Sequence, residues 1–413
     1  MGEKAKVYRA ANIITLDENT PRATHVAVVG GRIAAVGGGE LERQYSPADT
    51  AFEDAVLVPG FVEGHAHIME GAIWKMPYVG FYDRIHPCGQ RIKGCDSAGA
   101  LVSRLKKLEA ELADENETLF AWGYDAIYFA DKPMRRDLDR VSATRPVVIF
   151  HSNLHLITVN SAALRRANIT RDNVIDGVYV DAHGEPNGEL AEFAAMFPVF
   201  RAVGNPVFGD TENARDIRLF GKSCHRAGIT TAADLFNNLE DEIVATFDAV
   251  TREADFPVRI APALSAMQLS AEQIIARAKK LGRHEKFGND KLHFGAVKII
   301  TDGTIQGYSA RVRKPYINGV KNGVWFDAPS RIQECIRSFH AHGIKIHIHV
   351  NGDEAAELAL QTFEEAVSEH GRKKRHVLQH AQMMDADQLA RAAKLGLMVN
   401  FFANHTWFWG DQH

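Results

Sequence analysis

Apolar strands that alternate with amphipathic helices from residue 56 onward predict an α/β protein. Its expected core is a (β/α)8 TIM-type barrel, with a small β unit in front of it. Two further observations support that class. The segment before residue 56 reads as short strands and turns without helices. Histidines and one lysine recur at the ends of the later apolar runs, where a barrel of parallel strands keeps its chemistry. An open doubly wound sheet is the second choice, weakened because no glycine-rich dinucleotide fingerprint follows the first strand.

The elements follow in order. "KVYRAANIITLD" is succeeded by "HVAVVGGRIAAVGGG", and the Gly30–Gly31 pair between two alternating runs signals a hairpin in a small antiparallel unit. After Pro59 the candidate strands are "VLVPGFVE" (56–63), "PVVIFH" (146–151), "GITTAADLF" (228–236) and "PVRIAPAL" (257–264). Next come "HFGAVKII" (293–300), "IKIHIHV" (344–350), "HVLQHA" (376–381) and "LMVNFF" (397–402). Amphipathic stretches such as "SAEQIIARAKKLG" and "SRIQECIRSFHAHG" lie between them. Residues 75–225 exceed one strand–helix step and read as an insertion. If "PVVIFH" belongs to it, about seven barrel strands remain before "NFFANHTWFWGDQH", so the barrel is expected to be incomplete at its C-terminal end.

Composition excludes several classes. The 413 residues are 46% hydrophobic and 24% charged, with a net charge of −4, which gives neither nucleic acid nor an anionic membrane a reason to bind. "MGEKAKVYRAANIITLD" has no apolar core of the secretory kind, and no run approaches the roughly 20 apolar residues of a membrane span. A cytoplasmic location is expected. Cys88, Cys95, Cys224 and Cys335 form no CxxC pair and read as free thiols.

The chemistry centres on "GFVEGHAHIME". A strand puts residues i and i+2 on one face, so His65 and His67 point the same way at the end of an apolar run. His347 and His349 end "IKIHIHV", and His380 ends "HVLQ". Imidazole suits zinc, and a catalytic zinc keeps one position for water. The competing reading of each histidine is a satisfied packing residue. For His347, a supporting or packing role is favoured over ligation. Lys298 sits on an apolar strand, where a buried ammonium is costly. It either pairs with an acid such as Asp302 or reacts with CO2 to give a carbamate that bridges two cations; the residues leave both open. His151 and His155 have helical spacing, but Asn153 between them suggests a turn, with His155 a substrate-pocket contact. The aromatic segments "GFYDRIH", "WGYDAIYF" and "WFWGD" suggest either a pocket for an apolar substituent or core packing.

In number, order and spacing these motifs resemble the amidohydrolase superfamily, in the family 3 branch that includes N-substituted formamide deformylases. The resemblance rests on "VLVPGFVEGHAH", "NSAAL", "GEPNGELAE", "AGITTAAD", "AVKIITDGTIQGYSA", "IHVNGDEA" and "VLQHAQ". It implies an N-terminal β-sandwich portion over residues 1–56 and a hydrolase barrel over 57–413. It implies His65, His67, His349 and His380 as metal ligands and Lys298 as the carboxylatable bridge. It implies Asp353 as support for the His349 loop, while Gln379 stands where the family often has Glu. The implied cofactor is a divalent metal, Zn2+ first, as one or two ions. The implied reaction is hydrolysis of a non-peptide C–N bond of a small amide by metal-activated water. The family's eighth-strand aspartate and its closing sandwich strands have no counterpart in the chain, and Asp411 is out of order for that role. The alternatives are a catalytically impaired fragment or non-catalytic homologue that keeps the fold, and a metal-dependent lactonase or esterase. A homodimer is left open.

Overall fold

The computed structural model describes residues 4–207, 213–267, 269–283, 289–317 and 322–410. The chain divides into two units, Met1–Val62 and Glu63–His413.

In the first unit, β1 (Lys6–Ile14), β2 (Arg22–Val29), β3 (Arg32–Gly37) and β4 (Ala48–Leu57) form a sheet in the order β3-β2-β1-β4. The β2–β3 hairpin turns on Gly30 and Gly31, with φ of 59° and 70°. Two consecutive residues in the left-handed region are what a type I′ turn requires, and glycine adopts it without a Cβ clash. β4 departs from the all-antiparallel expectation: it runs parallel to β1. The crossover that parallel pairing needs is supplied by the segment holding the short helix Glu40–Gln44.

The second unit starts its sheet with β5 (Phe61–Ala66) and then inserts a separate layer before returning to it. The insertion holds a two-residue ladder of β6 (Arg84–Ile85) and β7 (Arg91–Ile92). It also holds a five-stranded sheet of β8 (Leu119–Tyr124), β9 (Val147–His151), β10 (Leu156–Val159), β11 (Val178–Val180) and β12 (Pro186–Ala191). "PVVIFH" is therefore β9 of the insertion, not a barrel strand. It reads as a continuous apolar run because both its faces are buried. Val148 and Phe150 face the helix Glu192–Val203, while Val147 and Ile149 face the helix Ala98–Glu111.

The main sheet has seven strands among the described residues, ordered β5, β13 (Ile229–Asn237), β14 (Arg259–Ser265), β15 (Ala296–Ile300), β16 (Lys345–Val350), β17 (Val377–His380) and β18 (Met398–Phe401). Every successive pair from β13 to β18 is parallel. Helices Asp241–Thr251, Ala271–Leu281, Pro329–Ala341, Asp353–His370 and Ala386–Leu395 make the crossovers. Their starts are locally encoded: Ser270 with Gln273 and Asp385 with Gln388 form capping boxes, and Pro329 occupies a first-turn position. Outward-facing Ile260, Val297, Ile346 and Leu378 pack on Phe247, Ile336, Phe339 and Phe363 of the helices.

The sheet curls until its two edges meet. A Cβ added to Gly64 on β5 would lie 3.2 Å from Nδ2 of Asn400 on β18. The result is an α/β barrel of the TIM type, nearly closed by seven strands.

The turn after β16 is packed without slack. A Cβ at Gly352 would fall on the Arg311 carbonyl, and that backbone cannot give way cheaply. Gly352→Ala is expected to cost about 2–3 kcal/mol, seen as a lower thermal midpoint in unfolding followed by circular dichroism.

Candidate functional site

The C-terminal ends of the strands gather the histidines. His65 ends β5, with His67 just beyond it; His349 ends β16 and His380 ends β17. Ring centroids are 5.0 Å apart for His65–His67, 4.5 Å for His65–His380 and 4.6 Å for His349–His380. Lys298 stands opposite His347 in the β15–β16 register, two residues before Ile300 pairs with His349. His380 and Ala381 are non-glycine residues at φ of 66° and 49°. This strained conformation turns the chain abruptly at the site.

Gln379 organises the cluster. Its fully buried side chain accepts from His65 Nδ1 at 2.8 Å and from Asn400 Nδ2 at 2.8 Å. It donates from Nε2 to His347 Nδ1 at 2.8 Å. His65 then holds its proton on Nδ1 and leaves the Nε2 lone pair free. His347 is joined to the cluster by its hydrogen bond from Gln379. His349 Nε2 lies 3.1 Å from both the Gly303 carbonyl and Asn351 Nδ2, so that nitrogen faces the loop after β15. The chain after His67 is pinned by buried Asp234 of β13, which accepts from Ile68 N at 3.2 Å.

Lys298 is 2% exposed, and its Nζ has no hydrogen-bond partner. Burial lowers its pKa to about 7. The Asp302 partnership considered from sequence is not formed. Asp302 instead accepts from Thr301 Oγ1 and from the backbone N–H groups of Asn351, Gly352 and Arg311, at 2.8–3.1 Å. It ties the loop after β15 to the turn after β16. Burial holds all four cluster imidazoles below the usual histidine range, His67 at about 3, and the nearby Lys298 charge adds to the effect. They are neutral, the form that ligates metal.

The insertion contributes His155. Asn153 Oδ1 accepts from His155 N at 2.9 Å, so the segment turns as expected, and His151 goes elsewhere, into the sheet interior against Thr158. The His155 ring lies 6.4 Å from that of His349. Its Nδ1 donates to Glu192 Oε2 at 3.0 Å, and Ser309 Oγ donates to Glu192 Oε1 at 2.6 Å. Burial alone would depress His155; the Glu192 charge and hydrogen bond outweigh it and raise the pKa. Sequence reasoning missed Glu192, although its φ of 64° and its place in "GEPNGELAE" mark it. Asp353 stays outside the cluster: it opens the helix after β16 and accepts from Arg313 N at 2.8 Å. Asp411 lies outside the described residues.

Of the two readings left open for the aromatic segments, packing is the one seen in "GFYDRIH" and "WGYDAIYF", while the side chains of Phe408 and Trp409 and all of Asp411 in "WFWGD" lie outside what is described. Phe81 stacks on Tyr128 at 5.7 Å and Tyr82 meets it edge-on at 5.0 Å, within the insertion. The rings beside the histidines are Phe236, 6.3 Å from His67, and its neighbour Phe193.

Among the described residues, no three His, Cys, Asp or Glu side chains already stand as a ready coordination set. The donors are gathered, with His349 turned toward a carbonyl. Two observations fit a cation there. His65 Nε2 and His67 Nε2 face each other at 3.2 Å, and two nitrogens on one tetrahedral zinc stand about 3.3 Å apart. His67 Nδ1 and Lys298 Nζ are buried with no partner, a state that costs free energy unless something satisfies them.

The lysine makes stability pH-dependent in the metal-stripped chain. Between about pH 7 and the ordinary lysine value of 10.5, the unfolded state binds a proton that the folded state does not, so stability rises with pH. Below about 7 the folded chain carries the buried ammonium at full cost. Lys298→Met is therefore expected to stabilise the stripped protein at pH 6–7, by on the order of a few kcal/mol, with the gain shrinking toward pH 10 in urea unfolding.

The chain is similar to several known proteins. The chain is 28% identical over 408 residues to YtcJ of Bacillus subtilis (strain 168), covering 95% of this chain and 72% of that protein. It is 22% identical over 413 residues to N-substituted formamide deformylase of Arthrobacter pascens, covering 97% of this chain and 73% of that one. A crystal structure of an uncharacterized metal-dependent hydrolase from Pyrococcus horikoshii OT3 superposes with a TM-score of 0.65 at 17% identity. It covers 99% of this chain and 77% of that chain, and so shares the fold. Residues 52–413 match the amidohydrolase family as a whole, and the chain belongs to that family.

Proposed function

We propose that the chain is a metal-dependent hydrolase that cleaves a non-peptide C–N bond of a small amide, of the N-substituted formamide type. The observation that carries this reading is the convergence of four neutral imidazoles on one buried amine at the C-terminal mouth of the barrel. The formamide deformylase relative supports the bond type.

In this reading His65, His67, His349 and His380 hold the metal, with zinc first because imidazole nitrogen suits it. A bound divalent cation supplies Lewis-acid chemistry, making water nucleophilic near neutral pH and polarising the scissile carbonyl. Gln379 and His347 keep His65 in the tautomer that offers Nε2. Lys298, its pKa lowered by burial to about 7, carries in its neutral form the free lone pair that attack on CO2 requires. The new N–C bond and the released proton leave a carbamate anion, able to bridge two cations. His155, oriented by Glu192, faces the cluster from the insertion and contacts the substrate.

The test is metal analysis of purified protein together with a panel of N-substituted formamides, other amides and lactones. His65→Ala and His349→Ala are expected to lose the metal. Retention of full stoichiometric metal in both would overturn the ligand assignment. Gln379→Ala is expected to lower zinc affinity about 10–100-fold in competition with a chromogenic chelator.

A further inference from the structure

A second histidine pair lies at the starts of the strands whose far ends carry the cluster, and the hydrolysis proposed above gives it no task. His340 comes from the last turn of the helix Pro329–Ala341, and His376 immediately precedes β17. Both are 1% exposed. His340 Nδ1 and His376 Nε2 lie 2.9 Å apart. The outer nitrogens are bonded too. Ile346 N of β16 donates to His376 Nδ1 at 3.1 Å, and His340 Nε2 donates at 2.8 Å to the carbonyl of Gly371, which caps the helix Asp353–His370. Phe363 of that helix stacks on the His376 ring at 5.1 Å.

A backbone N–H can only donate and a carbonyl can only accept, so the order of protons along this relay is fixed. Each ring accepts at Nδ1 and donates from Nε2. All four nitrogens are used, and a further proton breaks a bond wherever it lands. On His376 Nδ1 it displaces Ile346; on His340 Nδ1 it displaces His376. The surrounding charges also oppose it. Lys345 and His347 of β16 and His340 itself act on His376 with like charge. Arg372, Lys373, Lys374 and Arg375, in the segment leading to His376, are exposed. Glu364 and Glu365 of the helix Asp353–His370 are held by Arg391 and Arg337, and His370 lies beside Glu369. His342 is bonded to the Ser338 carbonyl. Among the described residues no carboxylate is bonded to either ring of the pair. Burial first, then His340 and Lys345, hold His376 down at about 3.

We propose that His340 and His376 form an acid-released latch on the floor of the barrel, which holds the starts of β16 and β17 together and so keeps His349, Gln379 and His380 in place at their far ends. The folded pKa of His376 lies below the ordinary 6.5, so between about pH 3 and 6.5 the opened state binds a proton that the latched state refuses. The latch is at full strength above that window and weakens as pH falls through it. One proton taken up on opening multiplies the opening constant about tenfold per pH unit below 6.5. The latch stands without the hydrolase reading; its hold on a bound metal rests on that reading.

The test is hydrogen exchange read by mass spectrometry on the full, metal-stripped chain at pH 7 and pH 5, corrected for the intrinsic pH dependence of exchange. Wild type is compared with His340→Gln/His376→Asn, which keeps hydrogen-bonding groups and removes the titration. In wild type, peptides over 344–350 and 372–380 are expected to exchange about tenfold faster at pH 5, falling to about threefold or less in the variant, with β13 and β14 unchanged in both. Equal acceleration in wild type and variant overturns the latch. So does acceleration spread evenly over β5 and β13 to β18 in wild type, a result that needs no folded variant. Zinc retention is titrated in parallel from pH 8 to pH 5. A midpoint of zinc loss lower in the variant by about half a pH unit or more supports the hold on the cluster, and an unchanged midpoint overturns that hold. Latch behaviour in exchange with no zinc bound at any pH keeps the latch and removes the metal reading.

Discussion

One buried amide, that of Gln379, joins chemistry to architecture. Its oxygen takes hydrogen bonds from the first and last strands of the sheet, through His65 and Asn400, and its nitrogen reaches His347 on β16. The same three bonds draw the two sheet edges together and fix which nitrogen of His65 is free. A carboxylate at that position would accept from His65 equally well, yet it would have no proton to give His347. The neutral amide therefore suits a His347 that accepts through Nδ1.

Around that clamp the electrostatics are one-sided. Burial keeps the imidazoles neutral, the Lys298 amine has no hydrogen-bond partner, and buried Asp302 spends its lone pairs on the Thr301 hydroxyl and on backbone N–H groups. The cluster is thus rich in nitrogen lone pairs, with the Glu192 carboxylate beside it engaged by His155 and Ser309. Such a cavity gains from an anion bound to the lysine and from cations bound to the rings. The carbamate reading supplies the first and makes room for the second.

The legible parts of this arrangement were those with a local period. Alternation at spacing two put His65 and His67 on one face, and apolar runs located β13 to β18. Strand direction carries no such local mark, so the parallel pairing of β4 with β1 escaped notice. "PVVIFH" resembled a barrel strand because a central strand of any two-faced sheet has the same composition. The His155–Glu192 contact crosses from β10 to the start of a helix, and no spacing rule links those positions. Of the two readings left open for the aromatic segments, mutual packing is the one seen for Phe81, Tyr82 and Tyr128.

The sheet order also sets a timetable for biogenesis. β5 leaves the ribosome first among the barrel strands, yet its neighbour β13 follows only after the whole insertion. Closing so long a loop is slow, while the insertion has two apolar cores of its own and can collapse in the meantime. The strand bearing the paired histidines waits longest for partners and is fastened last, when Asn400 and Gln379 arrive. A nascent chain therefore exposes the segment bearing His65 and His67 until those later strands appear. Premature capture of a cation by that segment would compete with correct barrel assembly.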